Sequence, residues 1–217
     1  MTTLSGTITS PPLSKGFDTD DVISAAAATD AYQRGYRFCL RYLALGTEQG
    51  SSDLSQTEAQ DILDAGLALM AVQHVNYAGW SPTASLGKTH GTNAAANAQS
   101  VGLPAGINLW CDLEGVSTKS SAQDVIDYVQ AWHTAVAQAG YVPGLYVGPN
   151  GGLTGDQLYY SLSLQHYWRS GSIVPAVSVR GYQMWQSGKD TIDGRRVDVD
   201  YASSDQLRGQ VLWLAPS

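Results

Sequence analysis

INLWCDLEGVSTKSSAQDVIDYVQAWHTAVAQAGYVPGLYV, residues Ile107 to Val147, carries the pattern that decides the fold. Ile107–Glu114 is an apolar run of strand length that ends in two acids. Ser121–Ala139 then places Val125, Tyr128, Val129, Trp132 and Val136 on one helical stripe, with Gly140 past its end. Val142–Val147 reads as a strand again. Strand, helix, strand in so short a span is the unit that builds a parallel sheet with helices outside it.

Working toward the N-terminus, the same alternation recurs. Strands are expected at Gly16–Thr19, Phe38–Ala44 and Leu67–Val75. Helices are expected at about Asp21–Arg34, at Ser55–Ala65 with a Ser55/Glu58 capping box, and near Thr92–Val101. Toward the C-terminus, a short helix at Gly155–Leu162 precedes strands at His166–Arg169, Gly181–Gln186 and Val197–Tyr201. SGKDTIDGRR, between the last two, reads as a polar turn with no room for a full helix. About eight strands in this order point to α/β architecture, a closed TIM-like β/α barrel with its last helices reduced. An open doubly wound sheet is the rival, but no glycine-rich phosphate loop follows the first strand. Residues 1–14, rich in Ser, Thr and Pro, read as a flexible N-terminal tail, and 15–217 as one barrel domain.

Composition narrows the function. Of the 217 residues, 43 % are hydrophobic and 14 % charged, the balance of a packed globular chain. A net charge of −7 without any Lys/Arg cluster argues against a nucleic-acid partner. No run of about 18 apolar residues occurs, so no membrane insertion is expected. The first residues lack the basic and apolar regions of a signal peptide. Cys39 and Cys111, each inside an expected strand, read as free buried thiols.

In a β/α barrel the chemistry collects at the C-terminal ends of the strands. Those ends carry Asp18; Arg41 and Tyr42; Gln73 and His74, then Tyr77 and Trp80; Asp112 and Glu114; Tyr146; Trp168 and Arg169; Gln183, Trp185 and Gln186; and Asp198 and Asp200. Side chains two apart on a strand share a face, roughly 7 Å apart. Asp112 and Glu114 therefore face the same way, and two carboxylates so close raise one another's pKa. A protonated acid beside a second carboxylate is what glycoside cleavage needs. On an N-acetylated sugar the Asp can instead orient the amide oxygen as an internal nucleophile. Asp198 and Asp200 repeat the spacing on a strand that closure would bring beside Asp18. They fit either substrate binding or hydrogen bonding to backbone amides. Tyr77, Trp80, Tyr146 and Trp185 fit either sugar stacking or core packing. No cofactor and no metal site is expected: no acidic loop has Ca²⁺-type spacing and no paired His occurs.

GFDTDD near the start, DLEG at the fourth expected strand, and YQMWQS followed by VDVDYA resemble the glycoside hydrolase family 25 lysozymes. The similarity is closer to the related glycoside-hydrolase-like domain family (domain of unknown function 1906) and runs from Gly16 onward. It implies a muramidase-type site acting on the peptidoglycan of cell walls. Glu114 then corresponds to the general acid, Asp112 to the residue assisting at the anomeric centre, and Asp18 and Asp198 to an outer acidic pair. Asp200, Tyr77, Trp80, Tyr146, Trp185, Gln183, His74 and Arg41 are the expected substrate-binding residues. The expectation is a monomeric protein, secreted or delivered to the cell envelope, whose partner is a glycan. A barrel that kept the groove but lost turnover, a carbohydrate-binding module, is the alternative.

Overall fold

The computed structural model describes residues 3–9, 11 and 13–216. Eight strands close into a barrel in chain order: β2 (Ser14–Thr19), β3 (Phe38–Leu43), β4 (Ala68–Gln73), β5 (Asn108–Leu113), β6 (Val142–Val147), β7 (His166–Arg169), β8 (Met184–Ile192) and β9 (Arg195–Ala202). Pairings from β2 through β8 are parallel. The wholly parallel sheet expected from the alternation is corrected at the last strand, which runs antiparallel to both β8 and β2. The reason lies in SGKDTIDGRR, which is a hairpin and not a free turn. Asp193 and Gly194 both adopt positive φ (46° and 78°), and Ile192 pairs with Arg195 across them. Two such residues make the tight turn whose twist suits a β-hairpin.

Among the described residues five helices pack outside: α1 (Ala25–Gln33), α2 (Gln56–Asp64), α3 (Ala84–Ser100), α4 (Ala122–Gln138) and α5 (Gly155–Tyr160). None follows β7 or β8 among the described residues, as the reduced C-terminal pattern implied. In α4 the expected stripe is the buried face, and Ser121 and Asp124 form a reciprocal capping box. In α2 Ser55 accepts from the Glu58 amide. The Glu58 carboxylate turns instead to Arg41 Nε (2.6 Å) and the Ile23 amide (2.7 Å). Helix α3 begins eight residues before its expected start, capped by Thr83.

Period-two alternation divides the side chains. Leu40, Met70, Val72, Trp110, Tyr146, Trp168 and Met184 fill the barrel interior. Cys39, Leu69, Leu109, Leu113, Leu145 and Tyr167 face the helices. The stretch read as a tail contains a strand, β1 (Thr7–Thr9), paired antiparallel with β10 (Trp213–Ala215), which in turn meets β4 at Leu69. Trp213 of β10 packs on Phe38, ring centroids 5.2 Å apart, at the end of the barrel opposite the carboxylates. That end is closed, so the open mouth lies at the C-terminal ends of β2 to β8. Both cysteines are free and buried. Among the described residues no helix is long and apolar enough to cross a membrane.

Candidate active site

The mouth is a groove with two arms. One, about 600 Å³, is lined by Tyr42, Asp112, Glu114, Tyr146, Arg169, Ser170, Gln186, Lys189 and Asp198, among others. The other, about 420 Å³, is lined by Asp18, Thr19, Asp20, His74 and Arg196, together with Tyr42, Asp112, Glu114, Lys189 and Asp198 from the first. Asp112 and Glu114 therefore stand where the arms join.

Alternation explains who points inward. On β5, Trp110 and Asp112 face the barrel interior while Leu109, Cys111 and Leu113 face the helices. Glu114 continues the inward row one step beyond the strand. Asp112 is 7 % exposed, and its Oδ1 is sealed from solvent without a hydrogen-bond donor among the described residues. Burial pushes its pKa well above the usual carboxylate range, and the nearby charges of Glu114 and Asp18 add to the shift. Burial also raises Glu114. The pair thus keeps a proton at pH values where isolated carboxylates have lost theirs. Trp80 supports Glu114 from behind: its Nε1 donates to the Glu114 carbonyl at 2.9 Å while the ring meets Tyr128 edge-on.

Beneath the groove lies a second carboxyl pair. Closure sets Asp18 opposite Asp198 and Gly16 opposite Asp200. Asp18 accepts from Gln186 Nε2 (2.8 Å) and from the Tyr42 hydroxyl (3.4 Å). Asp200 accepts from Trp168 Nε1 at 2.8 Å. The buried Asp200 Oδ2 has no hydrogen-bond donor among the described residues, and the neighbouring carboxyl of Asp18 interacts with it. Two neighbouring buried carboxyls are best accommodated when one carries the proton, and Asp18, already served by two donors, is the better anion. Burial nevertheless lifts Asp18 to about 7, with Asp198 contributing, against the lowering by Asp200, Gln186 and Tyr42. Burial drives Asp200 up further. Gln186 fixes the network, its Oε1 accepting from the Tyr146 hydroxyl and the Gly171 amide, each at 3.1 Å.

Of the residues expected at the site, Asp18, Asp112, Glu114, Tyr146, Asp198 and His74 line the groove, and Asp200 lies below it. His74 stacks on Tyr42 with ring centroids 4.6 Å apart, and its Nε2 lies 3.1 Å from Asp53 Oδ1. Tyr77 stands in solvent, 95 % exposed. Besides Tyr77 and Trp80, which also do not line the groove, three further expected residues fail to reach it. Arg41 points outward to Glu58 and the Ser52 carbonyl (2.8 Å) and is fully buried. Gln183 is buried between the Gln165 carbonyl, the Tyr167 amide and Asp205. Trp185 stacks on Tyr201, centroids 5.9 Å apart, between the inward positions Met184 and Gln186. Their places in the groove are taken by neighbours one step along each strand: Tyr42 for Arg41, and Gln186 for Trp185. Lys189, on the misread hairpin, also lines the groove. Among the described residues no group of three metal-type ligands converges to hold an ion.

Comparison with known proteins adds to this geometry. A family described as "Rv2525c-like, glycoside hydrolase-like domain" matches residues 29–207. No curated protein matches the chain significantly. Among solved structures, the Tat-secreted protein Rv2525c of Mycobacterium tuberculosis, crystallised with HEPES, is similar at TM-score 0.65 and 17 % identity, over 91 % of this chain and 98 % of that one. A muramidase from Trichobolus zukalii is similar at TM-score 0.63 and 17 % identity, covering 88 % and 94 %. A family 25 glycosyl hydrolase from Bacillus anthracis follows at TM-score 0.61 and 13 % identity, covering 89 % of each chain. At these identities the likeness shows a shared fold.

Proposed function

The chain belongs to the Rv2525c-like, glycoside hydrolase-like domain family, and from that premise we propose that it is a glycosidase of muramidase type. Its substrate is the glycan of peptidoglycan, cut between N-acetylmuramic acid and N-acetylglucosamine. The observation that carries this reading is the Asp112/Glu114 pair, held at the junction of the groove with pKa values raised by burial.

Glu114, the more exposed of the two, donates its proton to the glycosidic oxygen as the bond to the anomeric carbon breaks. Asp112 faces the acetamido group and turns its carbonyl oxygen toward that carbon, where a new C–O bond forms as the leaving group departs. Water then attacks the same carbon and gives a proton to Glu114 as the bond from that carbon to the acetamido oxygen breaks, restoring the acetamido group and both carboxyls. Asp198 and Tyr146 hold sugar hydroxyls, and His74 borders the arm that contains Asp18. The Asp18/Asp200 pair, with Gln186, keeps the floor of the groove in one hydrogen-bonded arrangement. Action on a wall polymer requires delivery to the cell envelope. The Tat secretion of the related Rv2525c accords with that, and we take the monomer to be the working unit.

Purified protein incubated with bacterial peptidoglycan should generate new reducing ends. Glu114→Gln should lower the rate by at least about a hundredfold, the contribution typical of a general acid. Absence of release by the unsubstituted protein would refute the glycosidase reading.

A further inference from the structure

The groove carries charges that acid catalysis does not use. Four of the eight arginines are paired with carboxylates of the protein itself: Arg34 with Asp190, Arg41 with Glu58, Arg180 with Asp205 and Arg195 with Asp193. Arg169 and Lys189 are different. Both are exposed and both line the 600 Å³ arm, beside Ser170–Ser172 and Gln186–Gly188, whereas Arg196, also exposed, lines the 420 Å³ arm with Asp18 and Asp20. Neither forms a salt bridge among the described residues. Lys189 stands across from Asp198 in the β8–β9 register and draws that carboxyl's pKa down against the effect of burial. The charge of Arg169 acts on the Tyr182 hydroxyl, and no salt bridge to a carboxylate is formed among the described residues.

This placement matters in a chain of net charge −7 whose groove holds Asp18, Asp20, Asp112, Glu114 and Asp198. An anionic ligand is repelled from such a mouth except where unpaired cations stand. Arg169 lines only the 600 Å³ arm, which contains neither Asp18 nor Asp20, and Lys189 borders both arms. A guanidinium offers paired N–H donors that match a carboxylate, and a nearby ammonium adds a mobile point charge.

We propose that Arg169 and Lys189 form an anion-recognising subsite that makes the groove selective for a glycan bearing a carboxylate substituent over a neutral N-acetylglucosamine polymer. The inference rests on the glycan reading above and names the feature of the glycan that is recognised. A carboxylate can come from an acidic ether on the sugar itself or from an attached peptide, and the ligands below separate the two.

The test is calorimetric, with Glu114→Gln protein so that ligands survive. Chitotetraose, a peptide-free peptidoglycan tetrasaccharide and the same tetrasaccharide with its peptides are titrated at low salt. The peptide-free tetrasaccharide should bind about tenfold more tightly than chitotetraose, the scale of two partly exposed ion pairs. Added Arg169→Gln and Lys189→Gln substitutions should erase most of that preference, read as the ratio of the two Kd values. A preference seen only with peptides present would place the recognised carboxylate on the peptide and still support the subsite. Equal affinity for all three ligands, or a preference that survives both substitutions, would overturn the subsite while leaving the glycan reading intact. Failure of all three to bind would overturn both.

Discussion

Asp200 shows how a single side chain sets the behaviour of the floor beneath the groove. It is fully buried, bonded to Trp168 on one side and interacting with the neighbouring carboxyl of Asp18 on the other. Because both carboxyls have raised pKa values, the folded protein holds protons that the unfolded chain releases near pH 4. Stability from this pair is therefore present at low pH and declines as pH rises from about 4 through the Asp18 value of about 7. Asparagine at 200 would keep the bond from Trp168 and offer Asp18 an N–H donor, with no charge to bury. Asp200→Asn should gain stability relative to the unsubstituted protein as pH rises from 4 to 8, measured by thermal unfolding at each pH. A difference that stays flat or reverses would show that the pair does not share a proton. Gly148 acts on the catalytic pair in a different way. A Cβ there would lie 2.6 Å from both Cβ and Oε2 of Glu114 and 2.9 Å from Tyr146 Cε1. Gly148→Ala should displace the acid and reduce cleavage at least about tenfold, with the fold retained by circular dichroism.

At the scale of elements, α3 and α4 pack through glycines. A Cβ at Gly87 would overlap the Tyr128 carbonyl, and one at Gly91 would lie 2.6 Å from that of Trp132. Backbone cannot yield as a flexible side chain does, so Gly87→Ala should destabilise the protein by about 2–3 kcal/mol in urea unfolding. The same glycines hid the helix start, since they are poor helix formers by propensity and are kept by packing against α4. The amphipathic α4 was legible because its stripe is itself the packing surface. The hairpin was legible in principle, since Asp193–Gly194 is a strong turn signal, but the polar flanks masked it. Strand parity accounts for the rest of the site. Asp18, Asp112 and Asp200 share the inward phase of residues that fill the barrel. Arg41 and Trp185 fall one step out of phase, while Tyr42 and Gln186 fall in phase. The sequence names the rim residues readily. Choosing among neighbours requires the phase of each strand, which apolar runs buried on both faces do not reveal.

The whole molecule is a barrel closed by a strand of opposite direction, plugged at one end by Trp213 and open at the other onto a carboxylate-lined groove. Antiparallel closure sets Asp198 and Asp200 against β2, so residues at opposite ends of the chain build one site. The fold is shared with proteins described as muramidases, and the chemistry proposed for this chain rests on what its groove holds. The most direct test identifies the sugar at the new chain end. Peptidoglycan digested by the protein is reduced with borohydride, hydrolysed and analysed by mass spectrometry, with Glu114→Gln protein in parallel. The account predicts reduced muramic acid from the unsubstituted protein and none above background from the variant. Reduced glucosamine instead, or equal product from both proteins, would contradict a muramidase whose acid is Glu114.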